Sequence, residues 1–515
     1  MRQLELKPGA LDLDDLAAVH AGGVKLTWDA AARRVVEASA EVVRRAAAGQ
    51  DPVYGVNTGF GKLASTRIGD ADLATLQLNL IRSHSVGVGE PLSPAVVRLM
   101  LALKAAGLAR GYSGVRAEVI DTLLAVHNVG LVPYVPSQGS VGASGDLAPL
   151  AHMTLALIGE GEMYVDGGRR PARSLLDAAG VAPLSLSAKE GLALINGTQT
   201  STALALSALL EFEPVLEAAL VIGALTVDAA RGSDGPFDPR IHALRGQPGQ
   251  IDVAQYYRAL LAGSAIRASH REGDDRVQDP YSLRCQPQVV GASLDQLRHA
   301  ARVLLTEANA VTDNPLVFAE DGAIVSGGNF HAEPVAQACD AMAVAIAEVG
   351  AISERRIAML IDAGVSRLPP FLTANPGLNS GFMVAHVTAA ALASENKSLS
   401  HPASVDSLPT SANQEDHVSM ATFAARRLSP MIANTTRILA IELLAAAQGI
   451  EFLRPLRSSD TLEAVHALVR THTAAVEEDR FLAPDIDRAA QLVMGGELTR
   501  ILRTLESLPR LWIPA

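Results

Sequence analysis

The stretch that decides the fold class is TSTALALSALLEFEPVLEAALVIGALTVDAA, residues 200–230. Apolar residues recur in it at positions i, i+3, i+4 and i+7, the spacing that places them on one face of an α-helix. Pro214 stands near its middle. Because a proline inside a helix removes a backbone hydrogen bond, we expect a kink or a break there. The stretch therefore predicts a long helical segment.

The same helical spacing continues toward the C-terminus. Further alanine- and leucine-rich stretches of this kind are 293–310, 332–362, 382–398 and 417–452. Small alanine side chains let such helices pack closely. We therefore predict a mainly α protein in which residues 196–515 form a long central helical bundle. This bundle is expected to be the oligomerisation core and to contain the substrate pocket.

The N-terminal part, residues 1–195, differs from the rest of the chain in composition and in its predicted elements. Glycine and proline interrupt it often, and short strands are predicted near 131–135 and 162–165. We expect it to form a smaller, loop-rich domain. No repeat of fixed period and no low-complexity linker separates the two parts.

The composition is unusually apolar, with 49% hydrophobic and 19% charged residues. Such a chain buries much surface between subunits or enters a membrane. The longest apolar run, 218–227, is bracketed by Glu217 and Asp228. It falls far short of the roughly 20 residues that a spanning helix needs. Burial between subunits is the better account, and we expect no membrane partner.

Charge and cysteine content narrow the function classes further. The net charge is −12 and basic residues form no run, so nucleic acid is an unexpected partner. The N-terminus shows neither the apolar core of a signal peptide nor the composition of a transit peptide. Cys285 and Cys339 could pair, but thiols in a reducing compartment are the more common case. We therefore expect a cytoplasmic protein.

The most informative motif is GSVGASGDLAPL, residues 139–150, with glycines at every third position. In a tight turn the amide nitrogen of Gly145 could attack the carbonyl carbon of Ala143, because neither side chain obstructs it. Ring closure and dehydration of Ser144 would leave an exocyclic methylidene. Side chains do not provide such an electrophile, which usually requires a cofactor. The alternative is an ordinary turn of small residues.

The residues that follow favour the first interpretation. Asp146 is a good N-cap, Pro149 is tolerated in a first helical turn, and an apolar helix is predicted after them. The motif would then lie at a helix N-terminus, whose positive end stabilises negative charge. This segment resembles the signature of the aromatic amino acid ammonia-lyases. The resemblance implies a methylidene-imidazolone formed autocatalytically from Ala143, Ser144 and Gly145 in the N-terminal domain, with Ser144 as 2,3-didehydroalanine.

A second segment, DPYSLRCQP at 279–287, is restricted by its prolines to a turn or a very short helix. Tyr281 and Arg284 would share one face of it. A guanidinium suits a carboxylate, and a phenol of lowered pKa can act as a base. A surface arginine beside a half-buried tyrosine is the alternative. The resemblance implies Tyr281 as catalytic base or acid, Arg284 as the carboxylate clamp and Gln278 as a substrate contact.

Three further positions have both a structural and a catalytic interpretation. The glycine-rich loop 53–61 is by default a flexible turn with a packing tyrosine; the resemblance implies a lid with Tyr54 near the substrate amine. Asn196 could cap the following helix; the resemblance places it near the imidazolone ring. Phe330 would be a core ring; the resemblance implies that it shields the prosthetic group.

Two residues bear on specificity. His84 is by default structural, but the Ser83-His84 pair followed by Gly-Val-Gly at 87–89 resembles histidine-specific members. A neutral imidazole can exchange a hydrogen bond with a substrate imidazole, which a phenyl ring cannot. The run SANQEDH at 411–417 is by default a helix start capped by Asn413 or Asp416. Its NQED sequence also matches histidine-specific members, which implies a substrate contact for Glu415.

The resemblance therefore implies a carbon–nitrogen lyase that deaminates L-histidine to trans-urocanate and ammonia, the first step of histidine degradation. It also implies a homotetramer whose active sites are shared between subunits. The alternatives are a tyrosine or phenylalanine lyase, an aminomutase with the same group, or a non-catalytic helical assembly protein. The thirteen histidines and two cysteines show no metal-binding spacing, so we expect no metal and no dissociable cofactor.

Overall fold

The computed structural model describes residues 2–165, 167–274, 276–505 and 508–512. Within them the chain forms 22 α-helices and nine short β-strands, which confirms the mainly α fold class. The helices of the N-terminal part are α1 Leu13–Ala21, α2 Ala30–Ala47, α3 Leu73–His84, α4 Pro94–Leu108, α5 Ala117–Asn128, α6 Leu147–Leu157, α7 Ala172–Ala179 and α8 Glu190–Ile195.

The second part contains most of the long helices. They and the shorter helices among them are α9 Gln199–Ala229, α10 Pro239–Arg245, α11 Pro248–Leu261, α12 Ala265–Ala268, α13 Tyr281–Arg284, α14 Gln286–Ala308, α15 Glu333–Ile361, α16 Ala363–Ser366, α17 Met383–Leu399, α18 Ala421–Arg426, α19 Leu428–Glu451, α20 Asp460–His472, α21 Ala483–Met494 and α22 Glu497–Leu502. Four of the five predicted long helices are present as single helices, α9, α14, α15 and α17. We expected a kink or a break at Pro214, and the break does not occur, since α9 continues through it. Val215 and Leu216 are fully buried, and such packing stabilises a helix against the loss of one backbone hydrogen bond.

One predicted helix, 417–452, is wrong in its first part. The α-helical conformation begins only at Ala421, and α18 and α19 are separate helices on either side of Arg427. Met420 has φ +56°, a left-handed conformation that cannot continue a right-handed helix. Its amide instead donates to the carbonyl oxygen of Val141 at 2.8 Å. A tertiary contact thus takes precedence over the local pattern.

The strands form small two- and three-stranded sheets. They are β1 Arg2–Leu6, β2 Val24–Trp28, β3 Val88–Pro91, β4 Val132–Pro133, β5 Pro136–Gln138, β6 Glu162–Val165, β7 Gly168–Pro171, β8 Leu316–Phe318 and β9 Ala323–Val325. β1 and β2 are parallel, whereas β3–β5, β4–β6–β7 and β8–β9 are antiparallel. The two predicted strands are β4 and β6, which pair with Val132 opposite Tyr164.

The chain divides into two compact units. The first contains residues 1–207, 302–340 and 402–426, and the second contains 208–301, 341–401 and 427–515. This division differs from the expected boundary at 195/196, because three segments of the predicted C-terminal part belong to the first unit: 196–207, 302–340 and 402–426. One of them contains β8, whose Val317 amide donates to the carbonyl oxygen of Tyr112 at 2.8 Å. The local composition of the sequence does not show that these distant segments pack with the N-terminal part.

One helix among the described residues, α15, is long and apolar enough to cross a membrane by length and composition alone. Its most apolar window has a mean hydropathy of 1.5, and 61% of that window is buried inside the protein. A core helix of a globular protein passes the same test. Its apolar stretch is interrupted by charged residues such as Asp340 and Glu348, so a search for uninterrupted runs does not find it.

Candidate active site

The Ala143-Ser144-Gly145 turn lies against the loop that joins α8 and α9. Gly145 has φ +75°, and a Cβ atom built on it would come within 2.3 Å of the carbonyl oxygen of Gly197. The next amide, of Asp146, donates to the same oxygen at 2.7 Å. This close backbone approach requires glycine at position 145. α6 begins two residues later, so the turn lies at a helix N-terminus as predicted.

Asp146 occupies the N-cap position of α6, but the predicted capping bond is absent. Its buried carboxylate accepts instead from the hydroxyls of Ser140 (2.9 Å), Ser201 (2.9 Å) and Thr422 (2.7 Å), and from the Ser201 amide (2.7 Å). Ser201 belongs to α9 and Thr422 to α18. The carboxylate therefore joins the turn to two other helices.

Asn196 follows the last residue of α8 and is 3% exposed. Its side-chain amide donates to the carbonyl oxygen of Ser144 at 2.7 Å. The side chain does not form the expected cap of the following helix, because a cap accepts through Oδ1, and Oδ1 receives no backbone N–H among the described residues. Its Oδ1 atom is buried without a hydrogen-bond partner among the described residues. The bond holds the one carbonyl that a cyclised Ala-Ser-Gly turn would keep as its ring oxygen.

These residues open onto a pocket of about 930 Å³. Seven predicted site residues line it: Tyr54, His84, Ala143, Ser144, Asn196, Phe330 and Glu415. Gly145 is buried next to them. All belong to the first unit, and three of them, Asn196, Phe330 and Glu415, come from the predicted C-terminal part 196–515. The residues that line it come from three parts of the sequence, between positions 54 and 196, 314 and 331, and 411 and 417.

His84, in the last turn of α3, is held in one tautomer. Its Nδ1 atom lies 2.9 Å from the carbonyl oxygen of Leu80, which can only accept, so Nδ1 carries the hydrogen. The Ser83 hydroxyl lies 3.0 Å from the same nitrogen. Burial lowers the pKa of His84 below its ordinary value, and the bond to Leu80 opposes that shift. The imidazole is therefore neutral at pH 7, with Nε2 as a hydrogen-bond acceptor.

Glu415 and Tyr54 form a second polar wall. The Ser144 hydroxyl donates to Oε1 of Glu415 at 3.2 Å, and Oε2 is buried with no partner among the described residues. Burial raises the pKa of Tyr54, with the Glu415 charge adding to the effect; a bond from the Gly61 amide opposes it. The phenol therefore remains protonated at neutral pH. Glu415 provides an unsatisfied acceptor that a cationic ligand would satisfy.

The segment that presents Glu415 is not the start of an α-helix, contrary to the default expectation with Asn413 or Asp416 as cap. Ser411, Ala412 and Asn413 all have positive φ, between 49° and 63°. Three consecutive non-glycine residues in this conformation are strained, and such strain concentrates at functional sites. The Thr410 amide donates to the Glu415 carbonyl at 2.9 Å and closes the loop.

Sequence reasoning missed two histidines of this pocket. The rings of His331 and His417 stack with centroids 5.8 Å apart and an interplanar angle of 8°. The Nε2 atom of His331 lies 3.2 Å from the carbonyl oxygen of His417, to which it donates. His417 directly follows the NQED sequence and His331 directly follows Phe330. Their adjacency to predicted site residues was the available signal. No group of three potential metal-ligating side chains occurs in the described part of the chain.

Gln278, Tyr281 and Arg284 belong to the second unit and do not line the pocket described above. The predicted short helix is present as α13, and Tyr281 is 71% exposed. The Arg284 guanidinium lies 4.6 Å from the centroid of the Tyr281 ring, on the shared face that the spacing predicts. Its Nε donates to the Asp279 carbonyl at 2.9 Å. Gln278 is exposed.

A buried polar network centred on Gln286 anchors the backbone of α13. Nε2 of Gln286 donates to the carbonyl oxygen of Leu283 at 3.1 Å. Oε1 of Gln286 accepts from Arg356 at 2.9 Å and from the Tyr257 hydroxyl. Arg356 in turn forms a fully buried ion pair with Glu442. This network fixes the backbone of the turn, whereas the Tyr281 side chain lies at the surface.

The chain is similar to known proteins over nearly its whole length. A sequence model described as aromatic amino acid lyase matches residues 11–471. The histidine ammonia-lyase of Rhodospirillum rubrum is 61% identical over 498 residues, 96% of this chain and 97% of that protein. The crystal structure of histidine ammonia-lyase from Trypanosoma cruzi is 44% identical, with a TM-score of 0.91 over 100% of this chain and 98% of the other. Tyrosine aminomutase from Streptomyces globisporus is 34% identical, with a TM-score of 0.93 over 99% and 100%. The chain therefore belongs to the aromatic amino acid lyase family.

Proposed function

We propose that this enzyme deaminates L-histidine to trans-urocanate and ammonia without oxidation. The observation that carries the proposal is the neutral His84, whose Nε2 acceptor lies in the same pocket as Ser144. The similarity to relatives named histidine ammonia-lyase, at 61% and 62% identity over 96% of the chain, supports it.

Residues 143–145 fit a methylidene-imidazolone. Gly145 approaches Gly197 so closely that no side chain is tolerated, and Ala143 obstructs the turn little. Asn196 already donates to the Ser144 carbonyl, which would become the ring oxygen. When formed, the group supplies an electrophilic carbon that ordinary side chains lack. We propose that it forms from Ala143, Ser144 and Gly145, and that no metal or dissociable cofactor is needed.

Two features of this chain stabilise negative charge at the Ser144 carbonyl oxygen. The Asn196 amide is a preorganised donor, and its burial strengthens the bond because little water competes for it. The N-terminus of α6, which begins three residues after Ser144, adds a positive dipole end. Both groups are in place before any ligand arrives. Their action therefore requires no rearrangement.

His84 would select the substrate side chain. Because its Nδ1 hydrogen is used by Leu80, Nε2 can accept one N–H from the ligand. A neutral substrate imidazole carries such an N–H, and a phenyl ring does not. A site that leaves a buried acceptor unsatisfied rejects the wrong side chain.

Glu415 and Tyr54 would contact the substrate amine. The unsatisfied Oε2 of Glu415 is a partner for an ammonium group, and the protonated Tyr54 can donate a hydrogen bond nearby. Dehydration of Ser144 would also remove the hydroxyl that occupies Oε1. Both carboxylate oxygens would then be available to the substrate. Phe330 would exclude water from the pocket wall.

The remaining functions fall to the second unit. We propose that Tyr281 removes the β-hydrogen, that Arg284 binds the carboxylate, and that Gln278 contacts the substrate. Tyr281 and Gln278 are exposed in the single chain, which suits residues completed by a neighbouring subunit. Exposed apolar side chains on α17, including Val384 at 64%, support burial against other copies. A cytoplasmic homotetramer with shared active sites is the assembly we propose.

The test is direct. The purified protein is incubated with L-histidine, L-tyrosine and L-phenylalanine, and the absorbance of each unsaturated product is followed, while the β-amino acids are sought by chromatography. We expect urocanate from histidine and little product from the others. Intact mass should show the loss of two waters from the chain, and Ser144→Ala should retain its full mass. An unmodified wild-type mass, or cinnamate, coumarate or a β-amino acid as the main product, would refute the proposal.

A further inference from the structure

Lys104 is a buried charge that the proposed chemistry does not use. It lies in α4 within a run of buried residues, 99–108, and is itself 1% exposed. Taking an amine out of water is costly, and an apolar side chain of similar length would avoid that cost. Burial lowers its pKa to about 7; Asp313 and Asp146 oppose this shift, and Lys189 adds to it. The cost is consistent with a specific task.

The two hydrogen bonds that its Nζ atom donates end on one short segment. Nζ donates to the carbonyl oxygens of Ala193, at 3.1 Å, and Asn196, at 2.8 Å. Carbonyls at a helix C-terminus lack partners within the helix, and these two lie at the end of α8. The neutral amine and the ammonium both have enough N–H groups for two bonds. The contact therefore persists on either side of the pKa.

The same segment carries the Asn196 side chain, which donates to the Ser144 carbonyl at 2.7 Å. A path of two hydrogen bonds thus leads from α4 to the Ser144 carbonyl, through the Asn196 carbonyl and the Asn196 side chain. The Asn196 backbone amide donates to the carbonyl of Leu192 at 2.8 Å, at the end of α8. Among the described residues, Lys104 is the side chain that binds the Asn196 carbonyl. Removal of the Lys104 amine would leave the carbonyls of Ala193 and Asn196 without these two donors. The backbone bond from Asn196 to Leu192 would remain.

We propose that Lys104 is a positioning residue that holds Asn196 against the carbonyl oxygen of Ser144. The inference rests on the proposed function, since it assigns Asn196 a role in the reaction. Misplacement of a positioned donor by about 1 Å can lower a rate about 100-fold. The consequence should appear in kcat, because the donor acts at the electrophile and the ligand-binding groups stay in place.

α4 also offers a matched control. Arg98, six residues before Lys104, donates to the carbonyl oxygens of Val19 at 3.3 Å and His20. It thus ties down the end of α1 as Lys104 ties down the end of α8, but Val19 and His20 do not line the pocket. Arg98→Met removes the same kind of contact from the same helix. A purely structural role for Lys104 would make the two variants behave alike.

The experiment compares wild type, Lys104→Met and Arg98→Met by intact mass, thermal unfolding and steady-state kinetics with L-histidine. We expect both variants to unfold at lower temperature. We normalise kcat to the fraction of chains whose intact mass shows the loss of two waters. In Lys104→Met, this kcat should fall about 10- to 100-fold, with KM changed less than about threefold. In Arg98→Met, kcat should stay within about twofold of wild type. Equal losses of kcat in the two variants, or none in Lys104→Met, would overturn the proposal.

A double-mutant cycle with Asn196→Ala tests the route of action. If Lys104 acts through the Asn196 side chain, Lys104→Met should cause no further loss of kcat in the Asn196→Ala protein. Multiplicative losses would contradict it. If Lys104→Met does not fold, Lys104→Gln, which keeps one donor group, is used in the same cycle. A wild type that is unmodified in mass or inactive on histidine refutes the proposed function, whereas an active wild type with an unaffected variant refutes this inference alone.

Discussion

The Ser144 pocket and the α13 turn differ in how far their polar side chains are buried. Next to Ser144, Asn196 is 3% exposed and its side-chain amide already donates to the Ser144 carbonyl at 2.7 Å. On α13, the backbone is anchored by buried Gln286, while Tyr281 stays 71% exposed. The electrophilic half of the proposed site is thus preorganised inside one chain. The acid–base half is rigid in its backbone and presents its side chains outward.

The largest effect should come from removing the electrophile itself. Ser144→Ala lacks the hydroxyl that dehydration must expel, so the methylidene cannot form. We expect a loss of turnover on the order of 10³-fold or more, with an intact mass that shows no loss of two waters. The fold should persist, because Ala fits the half-buried position. Substantial activity in this variant would show that Ser144 is not the source of the electrophile.

The outward-facing half is tested by subunit complementation. Tyr281→Phe alone should lower kcat about 10²- to 10⁴-fold, the range for loss of a general acid or base. When Tyr281→Phe and Ser144→Ala chains are co-expressed, mixed oligomers should recover part of the activity, because some sites combine Ser144 of one chain with Tyr281 of another. Native mass spectrometry verifies the mixing. Verified mixed oligomers without recovery would show that both halves come from the same chain.

Within the pocket, His84 gives an intermediate effect with a defined pH dependence. His84→Phe removes the acceptor, and we expect kcat/KM for histidine to fall about 10- to 100-fold, as for a lost buried hydrogen bond. Burial lowers the pKa of His84, so Nε2 remains an acceptor at pH 7 and is protonated only as the pH falls through that lowered value. KM of the wild type should therefore rise toward acid pH.

The substrate imidazole also titrates, so the pH profile of His84→Phe serves as the control. The substrate's own titration affects both proteins, and the difference between their profiles isolates His84. We expect the ratio of their KM values to approach one at acid pH. A ratio independent of pH would mean that His84 does not accept from the ligand.

The smallest effect should come from loosening the anchor of α13. A Cβ at Gly223 in α9 would meet Oε1 of Gln286 and the Tyr257 hydroxyl at 2.3 Å each. Gly223→Ala should therefore destabilise the fold by about 1–3 kcal/mol through overpacking, and raise KM for histidine about two- to fivefold through Arg284. Chemical denaturation and kinetics measure both.

Gly107→Ala is the matched control for that substitution. Gly107 lies in α4, and a Cβ there would meet its nearest atom at 3.5 Å, an ordinary contact. We expect it to leave KM unchanged and to be neutral or stabilising by up to about 1 kcal/mol, since alanine favours helix. If Gly223→Ala behaves in the same way, the Gln286 network does not position α13.

Local patterns in the sequence predicted a good part of the molecule. Apolar periodicity located the long helices such as α9 and α15, and flanking prolines located the four-residue helix α13. Local patterns failed where distant contacts prevailed. Asp146 makes no capping bond because hydroxyls from α9 and α18 reach its carboxylate first, and Met420 leaves the helical conformation where its amide binds Val141.

The candidate site shows the same limit. The resemblance supplied the residues, but no spacing in the chain shows that Ser144 bonds Glu415, 271 residues away, or Asn196, 52 residues away. The stacked His331 and His417, 86 residues apart, were missed for that reason. Such pairings depend on where the chain returns, and composition carries no record of it.

By itself the sequence determined the mainly α class, the Ala-Ser-Gly turn at a helix start, and the short helix with Tyr281 and Arg284, because each depends on residues within a few turns of one another. The tertiary structure alone decided the tautomer of His84, the unsatisfied oxygen of Glu415 and the anchoring of Asn196. These depend on desolvation and on hydrogen bonds between segments far apart in the chain, which exist once the chain has folded.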